Sequence, residues 1–125
     1  MNYAQLHTQT NFSFLTGASH PQEMVYRAAE LGYEAIAITD ECSLAGIVKA
    51  YAATKDLDIK LIIGSRFLLS NGLHVIALAP TRVAYAELSG FITLARRRAT
   101  KGTYEAHLDD LRFRLQNCLL IWLCE

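Results

Sequence analysis

Apolar and polar positions along the 125-residue chain switch repeatedly between a two-residue and a three-to-four-residue period, and the switches mark out the elements. Residues 3–8 alternate weakly and predict a short strand. Residues 9–17 follow as a polar loop interrupted by Phe12, Phe14 and Leu15. His20-Pro21 opens a helix, because proline loses nothing in a first turn whose amides have no helical acceptor. Ser19 and Gln22 have the spacing of a capping box. Met24, Val25, Ala28 and Leu31 share a face of this helix, and Gly32 ends it. Residues 34–39 are a short β-rich run and predict a buried strand. Ser43 is placed to cap a second helix, with Leu44, Ile47, Val48 and Tyr51 at i, i+3, i+4 and i+7. Residues 59–63 predict the next strand.

Beyond residue 63 the rhythm changes. Two apolar runs, 67–69 and 73–78, flank Ser70-Asn71-Gly72, and Asn-Gly between such runs is a strong hairpin signal. Thr81 caps a third helix in which Leu88, Phe91, Ile92 and Ala95 share a face. Leu108, Leu111 and Leu115 predict one more short helix, and residues 118–123 a final strand in which Trp122 is expected to be core. The order β-α-β-α-β-hairpin-α-α-β predicts an α/β fold with a mostly parallel sheet, right-handed crossovers and one β-hairpin. No repeat or linker divides residues 1–125, so a single domain is expected. Parallel sheets place chemistry in loops at the carboxyl ends of their strands. Three loops qualify: residues 7–17, 40–43 and 64–66.

Composition narrows the function classes. Twelve basic and twelve acidic side chains balance, which argues against coating DNA or an anionic membrane by bulk charge. Residues 1–62 carry 4 basic and 7 acidic groups, net −3, and residues 63–125 carry 8 and 5, net +3, so a polyanion contact would use the second half. Cys42, Cys118 and Cys124 form no CxxC and leave an odd number, which fits a reducing compartment. The N-terminus has neither the basic nor the apolar region of a signal peptide, and the apolar run 118–123 is far too short to span a membrane. A cytoplasmic location is expected.

The common phosphate-cradling loops, GxxxxGK[ST] and GxGxxG, are absent, as is GxSxG. The candidates are polar residues at strand ends: His7, Asp40-Glu41, Gly64-Ser65-Arg66 and, in the hairpin, His74. Each has a bland reading. A histidine at a strand end is more often a hydrogen-bonded structural residue than a ligand. Asp40-Glu41 reads equally well as an acidic pair favoured at a helix N-terminus. Arg96, Arg97 and Arg98 would suit phosphate contact, but cations also commonly solvate a helix C-terminus. Cys42 beside two carboxylates is a poor nucleophile.

Three stretches carry a resemblance: LHTQTNFSFLTGASHP, AAELGYEAIAITDECSLAGIVKAY, and KLIIGSRF with HVIALA. Together they resemble the N-terminal PHP domain (polymerase and histidinol phosphatase) of bacterial C-family DNA polymerases, nearer to the error-prone paralogue than to the replicative alpha subunit. The resemblance covers nearly the whole chain. It implies a distorted (β/α)7 barrel with a metal cluster at the carboxyl ends of the strands. It also implies a damaged cluster. The family's opening His-x-His reads His7-Thr8-Gln9, and a ligand before the loop glycine reads Thr16. Thr-Asp-His reads Thr39-Asp40-Glu41, Gly-x-Glu reads Gly64-Ser65-Arg66, and the histidine of the following strand is kept as His74.

On that resemblance His7 and His74 are residual metal ligands, and Gln9, Thr16, Glu41 and Arg66 are degenerate ligand positions. A guanidinium does not deprotonate in proteins, so Arg66 sets a fixed cation where a carboxylate should be and is expected to pair with Glu41. No cofactor is expected, beyond a vestigial divalent metal. The implied function is the PHP portion of an error-prone polymerase serving DNA replication and damage-induced translesion synthesis, with a mainly structural role and no catalysis by this chain alone. The alternative is a metal-dependent phosphoesterase or 3'-5' proofreading exonuclease. The expected partners are the remaining polymerase domains and, through them, DNA. A barrel of this type needs about 250 residues. A chain of this length holds roughly half of one, which implies a fragment or a truncated product with a tendency to self-associate.

Overall fold

The structure, a computed structural model, describes residues 3–7, 9 and 20–123. Among these the elements are β1 (Ala4–Gln5), α1 (Pro21–Glu30), β2 (Ala35–Ile38), α2 (Ile47–Thr54), β3 (Lys60–Leu68), β4 (His74–Ala79), α3 (Arg82–Arg97), α4 (Leu108–Arg114) and β5 (Leu119–Leu123). The five strands form one sheet in the order β1-β2-β3-β4-β5. Alternation along the strands sorts the side chains onto two faces. Ile36, Ile38 and Ile63, with Val25, Ala28, Ala50 and Ala53 of α1 and α2, form one half of the helix-covered core. Phe67, Val75, Ala77 and Ala79, with Ala84, Leu88, Phe91 and Ala95 of α3 and Leu111 of α4, form the other half. The opposite face carries Ala37, Ile62, Ile76, Leu78, Ile121 and Leu123. All four helices therefore cover one face of a half-barrel.

The sheet is evenly mixed, where a mostly parallel one was expected. β1-β2 and β2-β3 pair parallel, whereas β3-β4 and β4-β5 pair antiparallel. The hairpin accounts for the first reversal. Two helices, α3 and α4, account for the second, because an even number returns the chain to the end where β4 stopped. Leu119 accordingly starts β5 opposite Leu78.

β3 corrects a second expectation. Gly64-Ser65-Arg66 is not a loop but the middle of a nine-residue strand. Pairing with β4 starts at Ile63, where pairing with β2 ends, so the chain never leaves the sheet. The hairpin closes with a three-residue loop: Leu69 N–H donates to Leu73 O at 2.8 Å, Gly72 N–H to Leu69 O at 2.9 Å, and Gly72 takes φ +90°.

α1 ends as predicted. Gly32 takes φ +78°, Gly32 N–H bonds Ala29 O at 3.1 Å and Tyr33 N–H bonds Ala28 O at 3.0 Å, the paired bonds of a Schellman cap. Thr81 Oγ1 caps α3 by accepting from Ala84 N–H at 3.1 Å. The capping box read at Ser19 lies outside the described residues. α2 starts at Ile47 rather than at Ser43, whose Oγ accepts from Ala45 N–H within a turn. Its expected stripe is also displaced: Val48 is 77% and Tyr51 59% exposed, while Ile47, Ala50 and Ala53 are buried. Small alanines let α2 approach α1 closely, and that fit overrides side-chain bulk. Trp122 lies on the edge strand β5 and is 47% exposed, not core.

Gly64 sits where the sheet changes from parallel to antiparallel. A Cβ there would meet Ala77 O and Leu78 Cδ2 at 2.8 Å and Thr39 Cγ2 at 3.1 Å. Gly64→Ala should lower stability by about 1–3 kcal/mol through overpacking. Urea unfolding followed by circular dichroism measures this, with Gly90→Ala, on an open helix surface, as the tolerated control.

Candidate functional site

β2 stops at Ile38, while β3 runs on to Leu68. The chain leaving β2 is therefore laid against the projecting part of β3. Asp40 O accepts from Arg66 N–H at 3.0 Å and from the buried Ser65 Oγ at 2.8 Å. Cys42 N–H donates to Arg66 O at 2.9 Å, and Ser43 N–H to Ser65 Oγ at 3.1 Å. These bonds fix the segment 40–43 and set Glu41 beside Arg66 as an isolated parallel bridge.

Arg66 Nη2 then lies 3.5 Å from Glu41 Oε1, which is the ion pair anticipated from the sequence. The second oxygen, Oε2, accepts from Tyr104 Oη–H at 2.6 Å. Tyr104 Oη in turn accepts from Leu68 N–H at 2.8 Å. Arg96 braces this arrangement from behind. Its guanidinium lies 5.4 Å from the centre of the Tyr104 ring and donates to Cys42 O at 3.0 Å and Thr103 O at 3.1 Å. Cys42 has φ +45°, a left-handed conformation that costs a non-glycine residue about 1–2 kcal/mol, and the Arg96 bond to its carbonyl holds it there.

Asp40 and Thr39 are buried, whereas Glu41 is partly open. α2 begins only at Ile47, so the acidic pair does not cap a helix. Arg66 and His74 lie on the sheet face opposite the helices, Arg66 paired with Ile76, and His74 with Leu68 and Leu123. His7 follows β1 and is half-buried, its carbonyl accepting from Gln5 Nε2 at 3.0 Å. Gln9 is half-buried, and Thr16 lies outside the described residues. Arg96 faces inward, Arg98 forms a two-pronged ion pair with Asp110, and Arg97 is exposed.

The Glu41 carboxylate is engaged by side chains of this chain. One Glu41 oxygen faces a guanidinium and the other a phenol, and no three His, Cys, Asp or Glu come together as a metal site among the described residues. Tyr104 and Arg96 were not legible as parts of this site. Their only sequence signal is the polar stretch after Gly102 and the basic end of α3.

Burial pushes the Cys42 thiol up to about 11, with Arg96 opposing and Glu41 reinforcing, so desolvation more than carboxylate charge makes it a poor nucleophile. Burial also pushes the Cys118 thiol up to about 11. Burial and the bond to Glu41 raise the Tyr104 phenol above its ordinary range. All three groups have folded pKa values above their unfolded ones. Each contribution is complete below the unfolded pKa, about 9 for thiols and 10 for tyrosine, and is lost as pH rises through the folded value. Stability should therefore fall between about pH 9 and 11, with a shallower fall in Tyr104→Phe. At pH 7 that variant should lose about 0.5–1.5 kcal/mol, because the exposed Leu68 amide and the Glu41 carboxylate each lose a partner. Urea midpoints at pH 7, 9 and 10.5 provide the check.

Comparison with known proteins places this arrangement. The PHP domain family profile matches residues 5–120. The chain is 70% identical over 123 residues to the error-prone DNA polymerase of Saccharophagus degradans and 69% identical over 123 residues to that of Teredinibacter turnerae. Each match covers 98% of this chain and 12% of the relative, so the chain spans about an eighth of the length of these curated relatives. Among solved structures, an amidohydrolase from Chromobacterium violaceum, with bound sulfate and no metal, superposes with a TM-score of 0.63 at 27% identity. That match covers 75% of this chain and 33% of the other. The half-barrel, the site at its strand ends and a family match running from β1 into β5 agree: the chain belongs to the PHP domain family.

Proposed function

We infer that the chain is the PHP portion of an error-prone DNA polymerase acting in DNA replication and damage-induced translesion synthesis, and that its role there is architectural. The observation that carries the second half of this reading is the Glu41 carboxylate held between Arg66 and Tyr104, with Glu41 and Arg66 at positions that the family resemblance assigns to metal ligands. Identity of 70% across nearly the whole chain supports the first half. The residues at this site bind one another. Arg66 neutralises Glu41, Tyr104 ties that carboxylate to the end of β3, and Arg96 braces the loop behind it. The partners are the remaining polymerase domains, and DNA is reached through them. Of the basic cluster, Arg97 and Lys101 are exposed, enough for weak, salt-sensitive phosphate contact. No helix among the described residues is long and apolar enough to cross a membrane, and a cytoplasmic location follows from a polymerase role.

The phosphoesterase or exonuclease reading requires a working cluster, and this chain is expected to hold no resident metal. Purified chain exposed to zinc, manganese or iron and then dialysed should retain well under one ion per molecule by elemental analysis. It should show neither phosphatase nor exonuclease turnover. A stoichiometric ion lost in His7→Ala, with turnover lost in His74→Ala, is the result that would reverse this reading.

β1 and β5 are the edges of the sheet, and β5 exposes Leu119 and Trp122. Open strand edges with apolar side chains pair readily. Light scattering should show the isolated chain associating as concentration rises, with Trp122→Lys weakening the association. A compact monomer at every concentration contradicts it.

A further inference from the structure

Residues 104–107 run beside the β3–β4 hairpin as a short strap. Glu105 N–H bonds Ala95 O at 3.0 Å, Ser70 N–H bonds Ala106 O at 2.8 Å, and Leu69 and Ala106 form an isolated bridge. Side chains alternate along this strap. Tyr104 and Ala106 face inward, while Glu105 and His107 face outward toward the hairpin loop. Ser70 Oγ is consequently 2.8 Å from His107 Nδ1, and Glu105 Oε2 is 2.8 Å from His107 Nε2.

A carboxylate can only accept, so Glu105 fixes the proton of neutral His107 on Nε2. The Nδ1 lone pair then faces the Ser70 hydroxyl. A hydroxyl within hydrogen-bond reach of an imidazole that is itself oriented by an acid is the arrangement of an activated nucleophile. The loop adds a second element. The amides of Leu69, Ser70, Gly72 and Leu73 are all taken by acceptors, which leaves the Asn71 N–H, next to the nucleophile, available to a developing oxyanion. Ser70 and Asn71 are exposed, and no pocket wall encloses them, so a substrate would be small and loosely selected.

We propose that Ser70, His107 and Glu105 form a nucleophilic centre that accepts acyl groups from small carboxylic esters with acidic leaving groups. It is separate from the Glu41–Arg66 site and does not rest on the polymerase reading. Ser70 Oγ bonds to the ester carbonyl carbon as its proton passes to His107 Nδ1. The tetrahedral adduct collapses by breaking the bond to the leaving oxygen, which takes that proton and departs as the alcohol or phenol. Water then attacks the acyl-serine with His107 again as base, releasing the carboxylic acid and restoring the hydroxyl. Glu105 acts as a positioning residue.

The probe is a tagged fluorophosphonate, with the adduct located by peptide mass and p-nitrophenyl acetate hydrolysis measured alongside. Wild-type chain should be labelled at Ser70. Ser70→Ala should abolish the adduct, and His107→Gln should slow labelling about 100-fold, the usual scale of a general base. Glu105→Ala should slow labelling, and Glu105→Gln, whose amide oxygen can still accept from Nε2, should restore most of the rate. The His107 ring faces Ser70 and Glu105, while Asp110 accepts from the His107 backbone N–H and is unchanged in these variants. An unlabelled wild type, a label that persists in Ser70→Ala, or a Glu105→Gln rate no faster than that of Glu105→Ala overturns the proposal. Ser70→Cys decides the matter even if other variants fold poorly. Alkylation mapped to position 70 should be markedly faster at pH 7 than in Ser70→Cys combined with His107→Gln. Cys42 and Cys118, both pushed up to about 11, react slowly there. Equal rates in the two Ser70→Cys proteins would refute base activation.

Discussion

Ile63 pairs with Ile38 on one side and with Ala79 on the other, and at that residue β3 passes from parallel to antiparallel pairing. Two consequences follow from this shared strand. The half-barrel stays continuous across the change, so one sheet presents a single face to all four helices. β3 also outruns β2, and its projecting half offers Ser65 and Arg66 to the chain leaving β2. Gly64 makes the junction sterically feasible, since any Cβ there would strike the β4 backbone. A shorter β3 would leave the segment 40–43 without partners and Glu41 without a fixed position.

The network above that junction has unequal parts. Arg66 and Glu41 meet at 3.5 Å with side chains 17% and 33% exposed, and a partly solvated pair of that kind is worth about 1 kcal/mol or less. Tyr104 matters more. Its half-buried hydroxyl joins Glu41 to the Leu68 amide, so one side chain supports both the loop after β2 and the end of β3. Arg96 then couples α3 to the strained Cys42 and to the Tyr104 ring. The result ties three sequence-distant segments at one end of the sheet: the loop after β2, the end of β3 and the strap after α3.

Local signals in the sequence identify the elements that depend on local physics. Thr81 and the stripe Leu88, Phe91 and Ala95 define α3, Gly32 ends α1, and Asn71-Gly72 marks the hairpin. The misread elements depend on long-range partners. Gly64-Ser65-Arg66 looks like a loop because it is polar and contains glycine, yet pairing with β4 and the Ser65 bond to Asp40 keep it within the sheet. The α2 stripe was read from bulk, whereas close approach to α1 selects alanines. Tyr104 and Arg96 join Glu41 and Cys42 across 63 and 54 residues, and no spacing rule spans such separations. The Glu41–Arg66 pair was readable because both positions fall on family motifs and their charges are opposite.

That pair also balances charge at the strand ends from within the chain. A divalent ion at strand ends joins several loops by neutralising carboxylates that would otherwise repel. Arg66 supplies a positive charge from within the chain, and its placement inside β3 requires no ligand to be captured. Glu41 divides its two oxygens between Arg66 and a neutral phenol. A phenol is protonated at neutral pH, so Tyr104 donates to the carboxylate rather than competing with it for Arg66. At Glu41, charge balance rather than the strength of any one contact is what the network secures.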